Sequence, residues 1–172
     1  MKGLIPTISK LIENDAPRAI VAKPGFAAQL ASAVADLYFF GDFKPSRIAP
    51  LAGVRCQVDE LPLAPRALGS LIVAKRLNLA ADASLLVHTF HHLLREDGRL
   101  VLIEPYGRSL LRRNLEAWEL TALLLNAGFR DVGQHVLGSA VLTHGRCQHL
   151  ERGVDLEQQP KAAGHDRRQA HT

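Results

Sequence analysis

Residues Leu85–Pro105 read LLVHTFHHLLREDGRLVLIEP, and the character of the chain changes within that stretch. From Asp82 to Asp97 the apolar residues fall at helical spacing, with Asp82 placed to accept from the first-turn N–H groups and Gly98 placed as a C′ glycine. From Gly98 to Pro105 they run without interruption, the pattern of a strand covered on both faces. A helix feeding a buried strand is half of a βαβ unit, so this stretch predicts a parallel sheet flanked by helices.

The neighbouring segments extend the alternation. GSLIVAKRLN (Gly69–Asn78) predicts another buried strand, and VRCQVDE (Val54–Glu60) alternates as a strand does. Upstream, AIVA (Ala19–Ala22) predicts a short strand and FAAQLASAVADLY (Phe26–Tyr38) a helix bearing Leu30, Val34 and Leu37. YFFGDF (Tyr38–Phe43) predicts a second strand, and TISKLIEND (Thr7–Asp15) a short helix with Ile8, Leu11 and Ile12 on one face. Downstream, LEAWELTALLLNAGF predicts a helix stopping at Asn126–Gly128, with Trp118 packed in the core or at an interface. Two closing strands then flank a tight turn at Gly138–Ser139. That turn is too short for a parallel crossover, so the pair must form a hairpin, with one strand antiparallel at the sheet edge.

The whole is a doubly wound, mostly parallel α/β sheet with an antiparallel C-terminal hairpin, in one domain over residues 1–150. From Glu151 to Thr172 the apolar periodicity is lost, which predicts a disordered tail.

Composition narrows the function classes. The chain has 172 residues, 47% hydrophobic and 22% charged, as in ordinary globular proteins. No apolar run reaches the ~18–20 residues of a membrane span, and Met1–Pro6 lacks a secretory signal pattern. The two cysteines, Cys56 and Cys147, form neither a CxxC nor a disulfide framework, which points to a reducing compartment, the cytoplasm. A formal charge of +4, with scattered basic residues and few aromatics, allows weak attraction to nucleic acid but makes no case for it.

Taken in order, DELPLAPRALGSLIVAKRLNL (Asp59–Leu79), LLVHTFHHLLREDGRLVLIEP (Leu85–Pro105) and ELTALLLNAGFRDV (Glu119–Val132) resemble the class I S-adenosylmethionine-dependent methyltransferases, particularly the small-molecule type. The resemblance covers residues 54–147; residues 1–53 match by position more than by motif. It implies a Rossmann-like sheet whose last strand is antiparallel. It also implies a cofactor pocket at the carboxyl ends of the first strands, where open α/β sheets bind ligands. Carried over position by position, AKPGF (Ala22–Phe26) stands where the family has its glycine-rich loop, with Lys23 beside Gly25 as the one glycine kept. Asp42 stands where an acid grips the cofactor ribose, and Asp59 with Glu60 where the adenine lies.

Three departures accompany the likeness. The family loop reads acid-x-Gly-x-Gly-x-Gly; here Ala22, Lys23 and Pro24 replace most of it, removing an N–H donor and the leading acid. Only FKPSRIAPLAG separates Asp42 from Val54, where the family has a crossover helix. Only about 18 residues precede the first strand, too few for the lid that often closes over a small substrate.

These features leave two expectations. In one, the protein is a methyltransferase-fold subunit with a degraded cofactor loop, a pseudoenzyme that binds another protein or a second copy of itself. In the other, it is an active methyltransferase, with S-adenosylmethionine as cofactor and a partner supplying the lid. Glu104 is the weak catalytic candidate: at the end of the best strand, an acid either serves as a general base or caps the following turn. His88 and His92 share a helical face at a chelating spacing, but no Glu or Cys partner is evident, and no metal is expected. His91 is read as pointing elsewhere, and His135, His144 and His149 as isolated. Arg108, Arg112 and Arg113 read as a solvated helix face or an anion contact.

Overall fold

The computed structural model describes residues 3–12, 17–34, 36–41, 53–58, 60–106 and 114–149. In chain order the elements are α1 (Leu4–Leu11), β1 (Arg18–Val21), α2 (Pro24–Ala31), β2 (Leu37–Gly41), β3 (Gly53–Arg55), β4 (Leu68–Ala74), α3 (Ala83–Leu93), β5 (Leu94–Pro105), α4 (Ala117–Asn126), β6 (Phe129–Leu137) and β7 (Ala140–Cys147). The strands form one seven-stranded sheet in the order β3-β2-β1-β4-β5-β7-β6. β1 to β5 pair in parallel, and β7 pairs antiparallel with both β5 and β6. The doubly wound sheet with an antiparallel hairpin therefore stands as expected. The reversed strand β7 lies one place in from the edge rather than at it, because β6 folds back outside it.

Alternation along the central strands divides the core into two layers. Ala19 and Val21 of β1, Leu71 and Val73 of β4, and Leu100 and Leu102 of β5 pack with α3 and α4. Ile20, Ile72 and Val101, their sequence neighbours, pack on the other face with α1 and α2. Both faces of each strand are covered, which is why these segments read as continuous apolar runs.

Several boundaries moved for local reasons. α1 begins at Leu4 and buries Leu4 and Ile8, starting ahead of the expected Thr7. Pro6 sits in its first turn, where a missing N–H costs nothing. α2 stops at Ala31, and Leu37 belongs to β2, opposite Arg18 of β1. β3 ends at Arg55, so Cys56 and the residues after it lie beyond the strand. Asp82 caps α3 as expected, its side chain accepting from the Leu85 N–H at 2.9 Å.

Gly98 does not end that helix. β5 starts at Leu94, and Gly98 lies within the strand beside the register shift between Leu68 and Ser70 of β4. A Cβ there would stand 2.9 Å from the Arg95 carbonyl oxygen and 3.1 Å from that of Leu68, so close backbone approach requires the glycine. Trp118 is 67% exposed and is not core. The expected tail from Glu151 and the arginines Arg108, Arg112 and Arg113 lie outside the described residues.

Candidate functional site at the carboxyl ends of the parallel strands

Parallel strands in an open α/β sheet send their carboxyl ends to one edge, where the chain leaves the sheet and side chains are free to serve a ligand. Here that edge gathers Ala22 and Lys23 after β1, Gly41 at the end of β2, Cys56 after β3, Lys75 and Arg76 after β4, and Glu104 in β5.

The β1–α2 connection is two residues long. Val21 ends the strand, Ala22 is buried, Lys23 is the N-cap and Pro24 is the first helical residue. Proline suits that position because its fixed φ matches the helix and its missing N–H would have had no partner. The Lys23 carbonyl oxygen accepts from the Phe26 and Ala27 N–H groups at 3.1 Å each, while its side chain is exposed and makes no cap. Gly25 is exposed, its φ is not in the left-handed region, and a Cβ on it would meet nothing within 4 Å. Neither positive φ nor close approach calls for glycine here.

From the end of the neighbouring strand β4 one cation draws in. Arg76 Nη2 donates to the Ala22 carbonyl oxygen at 3.5 Å. Gly41 closes the cluster: a Cβ there would lie 3.2 Å from the same oxygen and 3.7 Å from Arg76 Nη2. The guanidinium therefore sits over the carboxyl end of β1, between β2 and β4. Lys75 beside it is exposed, with φ 57°. Cys56, half-buried, donates its N–H to the Gly41 carbonyl at 3.4 Å, and burial pushes its thiol pKa up.

Glu104 is fully buried. Its Oε1 accepts from the Arg76 and Leu77 N–H groups, each at 2.9 Å. Oε2 has no hydrogen-bond partner among the described residues. Burial raises the carboxyl pKa, opposed by the backbone donors of Leu77, Arg76 and Asn78 and by the charge of Lys75. The turn it holds is not the one that follows it, as the sequence suggested: it fastens the turn after β4 to the end of β5. Glu60 is exposed, its N–H donating to the Gln57 carbonyl at 3.3 Å. Asp42 and Asp59 lie outside the described residues.

The histidines arrange themselves differently from the expectation. His88 and His92 are exposed on α3. His91 instead meets Cys147 and His149, their ligand atoms all within 4.8 Å of one another. His144 stacks on His135 with ring centroids 5.6 Å apart, and its Nδ1 lies 3.3 Å from Arg99 Nη1. No sequence spacing announces the first group, because α3 and β7 meet only through sheet order; the second comes from pairing β7 with β6 and β5.

No family model and no curated protein matches this chain. Solved structures do. A chain in the Haloferax volcanii complex of the Trm112 methyltransferase activator matches with TM-score 0.65 and 13% identity, over 80% of this chain and 85% of that one. A SAM-dependent methyltransferase of Thermotoga maritima matches with TM-score 0.64 and 15% identity, over 84% and 87%. Human N-acetylserotonin methyltransferase in complex with SAM matches with TM-score 0.63 and 18% identity, over 84% and 52%. At these identities the likeness is one of fold: the chain has the Rossmann-like fold of the class I SAM-dependent methyltransferases. No helix of the described residues is long and apolar enough to cross a membrane.

Proposed function

We propose that this is a methyltransferase-fold protein whose cofactor loop has been lost, a pseudoenzyme or partner-dependent subunit that works by binding another protein. The observation that carries this reading is the Arg76 guanidinium on the carboxyl end of β1, beside a loop that has lost its glycines. Lys23 opens α2 directly, and the Arg76 guanidinium rests on the Ala22 carbonyl at 3.5 Å. S-adenosylmethionine brings a sulfonium cation to this edge of the fold. A like charge at ~4 Å costs about 1 kcal/mol in water and several times that in a partly dry cleft. The two-residue connection also lacks the successive glycine N–H groups that let a backbone wrap a ligand, so the residues present fit that cofactor poorly.

A protein partner is favoured by α4, which presents Trp118 (67% exposed) and Leu125 (54% exposed) two helical turns apart on one side. The similar chain found in complex with the Trm112 methyltransferase activator points the same way. The second reading, an active S-adenosylmethionine-dependent methyltransferase completed by a partner, draws on the cofactor-bound human structure of the same fold.

Calorimetric titration with S-adenosylmethionine and S-adenosylhomocysteine separates the two. The expected result is no binding by a folded chain. Micromolar affinity would overturn the first reading. The cytoplasmic location expected from cysteine usage belongs with this proposal.

A further inference from the structure

Away from that edge, three potential metal donors converge where α3 ends and β7 ends. His91 lies in the last turn of α3, Cys147 is the last residue of β7, and His149 follows two residues on. Cys147 Sγ and His149 Nε2 are 3.4 Å apart, and the His91 and His149 rings are 4.7 Å apart between centroids. Around a tetrahedral zinc ion, with Zn–S ~2.3 Å and Zn–N ~2.0–2.1 Å, neighbouring donors stand about 3.3–3.6 Å apart. The Cys147–His149 pair already has that separation, and an adjustment of roughly 1 Å by the His91 ring completes the set.

His149 Nε2 lies 2.8 Å from the Leu94 carbonyl oxygen and His91 Nε2 3.1 Å from that of Gln148, hydrogen bonds that both rings give up when Nε2 turns to a metal ion. The C-terminal end of a helix carries partial negative charge, and α3 ends here. The Glu96 carboxylate accepts from the His149 N–H at 2.7 Å, fixing the segment that holds two of the donors. Cys147 is a buried free cysteine at the inner side of this cluster.

We propose that His91, Cys147 and His149 form a zinc site that ties the end of α3 to the end of β7. One thiolate with two imidazoles is a borderline-soft set suited to zinc rather than to calcium or magnesium. On binding, the Cys147 thiol loses its proton to solvent as the S–Zn bond forms. Each imidazole binds neutral through Nε2, its ring proton moving to Nδ1. One proton is released per ion. Three protein donors leave a fourth position to water. The site is independent of whether the other edge of the sheet binds a cofactor.

Cobalt(II), which substitutes for zinc and gives a thiolate charge-transfer band, tests this on the full chain. The band is expected to saturate at one equivalent and to be displaced by zinc. It should disappear in Cys147→Ser, weaken at least tenfold in affinity in His149→Gln, and persist in Cys56→Ser. Zinc at a hundredfold excess over Kd should raise Tm by about 5–10 °C. Absence of the band in a chain with native circular dichroism would overturn the proposal. So would a band that follows Cys56, or one untouched by His149→Gln. Because His149 is half-buried, that variant carries the test even if Cys147→Ser fails to fold.

Discussion

The Glu104 carboxylate at the end of β5 receives the backbone N–H groups of Arg76 and Leu77, both at 2.9 Å on one oxygen. A buried acid thus holds the turn through which Arg76 is aimed back at Ala22. Replacing it with alanine orphans one buried and one part-buried donor, and Glu104→Ala is expected to cost about 2–4 kcal/mol by urea denaturation. Glu104→Gln keeps an acceptor and should cost less than half as much. If the two variants prove equally mild, the clasp is not holding the turn.

The same residue predicts a pH dependence. Burial raises the folded-state pKa of Glu104 above its ordinary value of 4.5. The folded form therefore binds the proton more tightly than the unfolded chain. The contribution is full below the unfolded pKa and is lost as pH rises through the raised folded value. Unfolding free energies measured from pH 4 upward should show this loss in the wild type and lack it in Glu104→Gln. A loss of the same size in both would assign it to another group.

Gly25 gives a direct test of the loop. A Cβ there meets nothing within 4 Å, the φ is ordinary and the residue lies in the first turn of α2. Gly25→Ala should raise stability by about 0.4–1 kcal/mol. A glycine kept for cofactor approach would give the opposite outcome, loss of ligand binding with no gain in stability. Gly98→Ala is the contrast: its Cβ would lie 2.9 Å from a carbonyl oxygen, and a cost of about 2 kcal/mol or more is expected.

His144 should titrate low. Burial first, then Arg99 and His135, lower its pKa to about 4. With Arg99 Nη1 only 3.3 Å from Nδ1, that nitrogen acts as acceptor and the neutral ring carries its proton on Nε2. Because the folded pKa is depressed, this stabilising contribution is present above the ordinary value of 6.5 and is lost as pH falls toward 4. NMR titration of the imidazole resonances checks it: a midpoint near 6.5 for His144 would refute the contact with Arg99.

Trp118 should be nearly silent in stability. It is 67% exposed, its indole N–H donating to Glu116 Oε2 at 3.2 Å. Trp118→Ser is expected to change unfolding free energy by no more than about 0.5 kcal/mol. A loss above 2 kcal/mol would mean the residue is packed in solution, as it would be in a homodimer.

Much of the fold was legible because strands covered on both faces write themselves as apolar runs. Leu71–Ala74 and Leu100–Ile103 needed no tertiary information, and Asp82 announced its helix by capping chemistry. The helix-to-strand change at Leu94 was not legible. A helix and a buried strand can share one apolar run, and sheet pairing with Leu68 decided between them. Lys23, Pro24 and Gly25 were visible as an altered loop. That Arg76 reaches across from β4 to the end of β1 was not, because 54 residues separate it from Ala22.

The sequence by itself determined which segments are buried and in what order, since burial is written in local periodicity. Only the tertiary structure decided which side chains meet. Sheet order placed β7 against β5 and its end against α3, bringing Cys147 and His149 to His91. Strand pairing between distant segments is a cooperative choice of the whole core, and no short stretch of residues encodes it.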